Sequence, residues 1–90
     1  MERNKIAYII GYNIKIQLNL HEQSVRWLSD KSGVENSQLR KYMSGYLLMG
    51  VDKLVRISDA LKCSPADLLR GTSKDDIETM YNSVLLEDQD

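Results

Sequence analysis

The 90-residue sequence is poor in the residues that usually punctuate or staple a chain: one cysteine, one proline, one histidine and five glycines. The lone Cys63 excludes an intramolecular disulfide, so a stapled secreted scaffold is ruled out and a reducing cytoplasm is the expected setting. So little proline and glycine excludes a Pro/Gly-rich disordered chain. No apolar run approaches the roughly 18 residues of a membrane span, and no membrane partner is expected. The start, with Arg3 and Lys5 ahead of the apolar residues 6–10, imitates a signal peptide. Asn13, Lys15 and Gln17 break the imitation, and no small-residue cleavage site follows.

Catalytic and metal-binding constellations are equally scarce. One histidine and one cysteine make no ligand cluster. Nucleophilic catalysis would have to use His21, which lies in a connecting turn with no nucleophile motif around it. Gly33, Gly45 and Gly50 match neither a Walker nor a dinucleotide signature. No enzyme, metal or cofactor is expected, and Cys63 is read as a buried structural thiol.

A large charge of one sign is also missing. Twelve basic and 13 acidic residues leave a net charge of −1, which at first argues against a nucleic-acid partner. The average conceals an asymmetry. Residues 1–72 hold 11 basic and 7 acidic residues, a net +4, whereas residues 73–90 hold one lysine and six acids, a net −5. The chain divides accordingly into a mildly basic domain, 1–72, and an acidic C-terminal helix or tail, 73–90.

What the sequence does contain is helical periodicity from end to end, and no strand-like alternation framed by hairpin turns. Ile6, Ile9, Ile10, Ile14 and Leu18 predict a first helix over about 4–19. Gly11 within it costs about 1 kcal/mol relative to alanine, which points to a close helix crossing. Ser24 is the N-cap of a second helix that runs to about residue 32, with Val25, Leu28 and Ser32 inward and Gly33 as its stop. A third helix covers 36–44, anchored by Leu39 with Tyr42 or Met43. Val51, Leu54, Val55, Ile57 or Ser58, and Leu61 predict a fourth helix. Ser64-Pro65, with Asp67 near the positive end of the dipole, starts a fifth whose buried side is Leu68 and Leu69. A sixth is expected from about 74 to 86, capped by Ser73, with the stripe Ile77, Met80, Tyr81, Val84 and Leu85.

The central feature is a pair of short helices joined by a glycine turn. Ser29 is small where two closely crossing helices leave little room, and Gly33-Val34 turns the chain. The helix that follows, Asn36-Ser37-Gln38-Leu39-Arg40-Lys41-Tyr42-Met43-Ser44, shows an outer face of the side chains that read base edges or clamp phosphates. This is a helix-turn-helix pattern, whose second helix enters the DNA major groove.

With Ser24, Leu28-Ser29, Gly33-Val34, Leu39, Tyr42 and Gly45 in order, then residues 54–61 and 64–69, the chain resembles the Cro/C1-type (XRE-like) helix-turn-helix domain of phage repressors and bacterial regulators. The likeness runs without gaps from about Ile10 to Gly71. It implies an all-α, five-helix lambda-repressor-like domain, here with an additional acidic C-terminal helix. It further implies a homodimer that binds double-stranded operator DNA, as a repressor rather than an activator. Base reading then falls to Asn36, Ser37, Gln38, Arg40 and Lys41, and phosphate contact to Ser24, Arg26 and Ser44. The chain departs from the family in three places. Val25 stands where a phosphate-binding Gln is frequent. Tyr46, Leu47, Leu48 and Met49 replace a basic, proline-containing loop. Leu18 and Met43 replace an Arg–Glu pair, an exchange that leaves no orphan charge. The first two reduce the grip on phosphate.

The apolar loop and the last helix carry a second reading, a protein-binding module such as an antitoxin. Tyr46, Leu47, Leu48, Met49, Ile77, Met80, Tyr81 and Val84 are the candidate dimer or partner surface. Four consecutive apolar loop residues cannot all face inward. Trp27 serves either the edge of the core or an interface. The last helix packs either within the chain or across a dimer, and its acids place it away from DNA.

Overall fold

A computed structural model describes residues 4–87, and among these the chain forms six helices and no strand. Glu2, Arg3, Asp88 and Asp90, which enter the charge balance, lie outside the described residues. Helix α1 (Lys5–His21) begins where the Asn4 side chain accepts the Ala7 N–H at 3.0 Å. It buries Ile9, Ile10, Ile14 and Leu18. It runs two residues beyond its predicted end. His21 Nε2 donates to the Leu61 carbonyl (2.7 Å), and Glu22 takes the left-handed conformation (φ 55°) that a glycine usually supplies.

Helix α2 (Val25–Ser32) keeps its predicted limits. Ser24 Oγ accepts the Trp27 N–H at 3.1 Å, and the Gly33 N–H returns to the Ser29 carbonyl at 3.0 Å. Ser29 Oγ donates to the Val34 carbonyl (2.6 Å), so the small side chain at this crossing also ties the turn. Helix α3 (Asn36–Met43) buries Leu39, Tyr42 and Met43 together, where the spacing left Tyr42 and Met43 as alternatives.

Helix α1 packs against α3 at Gly11. A Cβ on Gly11 would stand 2.4 Å from the Met43 carbonyl oxygen and 2.8 Å from the Met43 Cα. Only a residue without a side chain permits that crossing. Beyond α3, Gly45 (φ 82°) rests on the buried ring of Tyr8, and its carbonyl accepts the Asn4 N–H at 2.9 Å.

Helix α4 (Val51–Ala60) contributes Leu54, Ile57 and Ser58 to the core, followed by Leu61. Val51 and Val55 do not join them: they are 77% and 41% exposed, because the neighbouring elements cover only one flank of α4. Helix α5 (Pro65–Leu68) is a single turn, held by a capping box in which Asp67 accepts the Ser64 N–H at 2.9 Å. Leu68 is buried, but Leu69 is 39% exposed, since the turn ends before a second inward position can form. The buried Asn13 Nδ2 donates to the Leu68 and Arg70 carbonyls (2.8 and 2.9 Å), satisfying the end of α5 from α1.

Helix α6 (Ile77–Glu87) starts about three residues later than its spacing predicts, because Ser73 and Asp76 form a closed turn first. It packs on α1 within the chain. Val84 is buried, Tyr81 meets Tyr8 edge-on with centroids 5.5 Å apart, Lys5 pairs with Glu78 at 2.5 Å, and the Tyr12 hydroxyl donates to Glu87.

Trp27 is partly buried against the core and stacked on His21, the core-edge reading of that residue. Burial and the nearby Asp67 carboxylate push the Cys63 thiol above its ordinary range, which keeps it protonated.

The Gly11 crossing yields a stability prediction. Alanine favours a helix over glycine by about 1 kcal/mol, yet Gly11→Ala must push against Met43 backbone, which cannot rotate away. Overpacking of this kind costs about 1–3 kcal/mol. Gly11→Ala is expected to be net destabilising, read as a lower urea midpoint than wild type.

Candidate nucleic-acid interface

The turn between α2 and α3 fixes which face of α3 is outward. Leu39, Tyr42 and Met43 hold the inner side. Ser37, Arg40 and Lys41 are exposed, and Asn36 and Gln38 are partly buried. Glu35 supplies no side-chain cap, and Asn36 Oδ1 is shielded from solvent yet accepts no hydrogen bond. An orphan acceptor at the first residue of a helix is an unmet polar group, which structures rarely leave in place without a reason.

Part of the body's positive charge is paired. Lys5 pairs with Glu78, Arg56 with Asp52 at 3.3 Å, and Arg70 with Asp67 at 3.5 Å. Arg26, Arg40 and Lys41 make no ion pair among the described residues. Arg26, Arg40 and Lys41 thus leave three unpaired cations on α2 and α3.

The residues expected to contact phosphate divide. Arg26 is exposed on α2. Ser24 is occupied as the N-cap of α2, its oxygen already accepting a backbone N–H. Ser44 Oγ donates to the Lys41 carbonyl (3.2 Å) and lines a cavity of about 270 Å³ with Lys15, Val25, Arg40 and Met43. Lys15 is the residue that sequence reasoning missed. Its signal is present, since it is the single charged side chain in the apolar α1 segment between Ile6 and Leu20.

The candidate partner surface also divides. Tyr46, Leu47 and Leu48 are exposed, at 43%, 39% and 50%, while Met49 turns onto the core. Val84 does not belong to such a surface: at 1% exposure it is committed to packing within the chain. Ile77, Met80 and Tyr81 lie on the same helix and are partly buried. No group of three His, Cys, Asp or Glu side chains able to hold a metal occurs among the described residues, and no helix there is long and apolar enough to cross a membrane.

Ser24 yields a separable prediction. Ser24→Ala removes a cap that stabilises by about 1 kcal/mol. It is expected to lower the thermal midpoint, whereas Arg26→Ala, on the exposed side of the same helix, leaves it nearly unchanged.

Comparison with known proteins agrees with this geometry. The model of a family described as the Cro/C1-type HTH DNA-binding domain matches residues 13–74. The chain is similar in fold to the crystal structure of the restriction-modification controller protein C.AhdI from Aeromonas hydrophila. The TM-score is 0.66 at 18% sequence identity, over 69% of this chain and 94% of that one. No curated protein sequence matches the chain.

Proposed function

The chain belongs to the Cro/C1-type helix-turn-helix DNA-binding domain family, and from that membership we propose that it is a sequence-specific transcription regulator, a repressor that reads operator DNA as a homodimer. The observation that carries this reading is the outward face of α3, polar and cationic, with its charges unpaired on a helix locked in place by the Gly11 crossing. Residues 1–72 are the DNA-binding domain and 73–90 an acidic appendage, whose helix α6 packs on α1 and keeps its charge off the operator.

The mechanism is insertion of α3 into successive major grooves by two subunits, with half-sites about one helical turn apart. Asn36, Ser37, Gln38, Arg40 and Lys41 meet the base edges. An Asn or Gln can hold adenine through two hydrogen bonds, and a Lys suits the guanine O6/N7 edge. Arg26 and Ser44 contact phosphate. The exposed strip Tyr46, Leu47, Leu48 and Val51 is the surface given to the second subunit. Bound at a promoter, the dimer represses by occlusion in the cytoplasm.

The same exposed strip supports a second reading, a module that holds another protein. The two differ in salt dependence: DNA binding falls steeply with salt as phosphate counterions are released, whereas a complex held by the apolar strip persists.

Selection of bound sites from random DNA tests the reading. The expected product is a palindrome with half-sites about 10 base pairs apart. An unenriched pool after repeated rounds refutes it. On the selected duplex, Asn36→Ala is expected to weaken binding by about 1–3 kcal/mol, with the fold intact by circular dichroism.

A further inference from the structure

Helix α3 ends at Gly45, and the closure there leans on distant parts of the chain. Gly45 is left-handed (φ 82°), its N–H donates to the Tyr42 carbonyl at 3.2 Å, and the Tyr46 N–H donates to the Lys41 carbonyl at 3.2 Å. This pair of bonds is the Schellman arrangement, which satisfies carbonyls that the last turn of a helix leaves open. Lys41, on the outward face, lies in that turn. Contacts from α1 reinforce it. The Gly45 carbonyl accepts the Asn4 N–H at 2.9 Å, and a Cβ on Gly45 would stand 2.8 Å from Tyr8 Cδ2 and 2.9 Å from Tyr8 Cα. A hydrogen bond and a buried side chain thus press the start of α1 against the exit of α3.

Helix α6 braces the start of α1 from the other side. Tyr81 meets Tyr8 with ring centroids 5.5 Å apart and ring planes 74° apart. Lys5 Nζ lies 5.5 Å from the Tyr81 centroid while bonded to Glu78. Tyr8 and Val84 are both buried, yet neither belongs to the main core cluster that holds Ile10, Ile14, Leu39 and Ile57. Support for this corner comes instead from the packing of α1 on α6.

We infer that Tyr81 is a positioning residue for DNA reading: acting through Tyr8, it holds the closing turn of α3, and with it Lys41. The inference rests on the DNA-reading function proposed above and adds to it a residue of the acidic appendage, which itself touches no base. Without the Tyr81 ring, Tyr8 loses one of the surfaces that keep it on Gly45. The bonds at Gly45 and Tyr46 then open more often, and the last turn of α3 frays. Loss of an edge-to-face ring pair shifts such an opening equilibrium by about three- to tenfold.

The test is amide hydrogen exchange by NMR on the full chain, with Tyr81→Ala, Tyr81→Phe and Ile57→Val beside wild type. Ile57→Val removes a methyl group from the main core, to which neither Tyr8 nor Tyr81 belongs, and lowers overall stability. In Tyr81→Ala the amides of Asn4, Gly45 and Tyr46 are expected to exchange about three- to tenfold faster relative to those of Leu28 and Gly33. Tyr81→Phe keeps the ring and the wild-type ratio, and Ile57→Val leaves the ratio unchanged. On the selected duplex, Tyr81→Ala binds more weakly by a similar factor in fluorescence anisotropy, and Tyr81→Phe binds as wild type does. Tyr81→Leu, apolar but without a ring, takes the place of Tyr81→Ala should that variant lose its cooperative thermal transition.

Faster exchange confined to α6, with Asn4, Gly45 and Tyr46 as in wild type, overturns the coupling. So does the same rise in Ile57→Val, which makes the effect one of overall stability. Faster exchange at Gly45 and Tyr46 with wild-type affinity for the duplex overturns the role in DNA reading, while binding by the wild type still upholds the function proposed above. Wild-type protein that binds no selected duplex overturns that function and the positioning role with it.

Discussion

The arrangement depends on one contact between two backbones. At Gly11 the axis of α1 comes so near the end of α3 that a single added methyl group would overlap the Met43 carbonyl. The placement of α3 on the body follows from that approach. It sets how far α3 stands out from the body and which of its sides is buried by Leu39, Tyr42 and Met43. It also fixes the distance across which Lys15 and Arg40 face the same cavity. The exchange of a charged pair for Leu18 and Met43 belongs to the same economy of space. Both are buried, and two apolar groups close a tight seam without the desolvation that an ion pair there would require.

The features legible in the sequence are those decided by near neighbours along the chain. Ser24 as a cap, Gly33 as a stop, and Ser64, Pro65 and Asp67 as a starting turn each depend on groups within about three residues, and each stands where expected. The helix-turn-helix block is legible for a related reason, because a small Ser29 and a glycine turn are short-range demands. Errors arise where a distant element decides. Val51, Val55 and Leu69 follow an apolar spacing, but spacing cannot show which flank a neighbour will cover. Asn13, in sequence merely a polar break in an apolar run, serves two carbonyls more than 50 residues away. Lys15 stands out in sequence as a lone charge, yet its place near Arg40 and Ser44 shows only once three elements are folded together.

The family match begins at residue 13 and ends at 74, which leaves a segment at each end of the chain outside it. Those two segments are each other's partners. Lys5 meets Glu78, Tyr8 meets Tyr81, and Tyr12 meets Glu87. The extension of α1 at its start and the addition of α6 are thus one structural addition in two pieces, and the amphipathic stripe of α6 is spent on that union. Of the acids of that segment, Glu78 and Glu87 are held by it, the first against Lys5 and the second against Tyr12.

Tyr8 gives that addition a reach beyond its own contacts. One side of its ring receives Tyr81, while the chain at its Cα and Cβ lies against Gly45, the residue at which α3 hands over to the apolar loop. Native chains open in cooperative patches rather than residue by residue. The start of α1 and α6 are tied through Lys5, Tyr8 and Tyr12, which couples their local stability. The Tyr8 ring joins α6, the start of α1 and the exit of α3 in one packed contact, so loosening any of the three is felt by the other two.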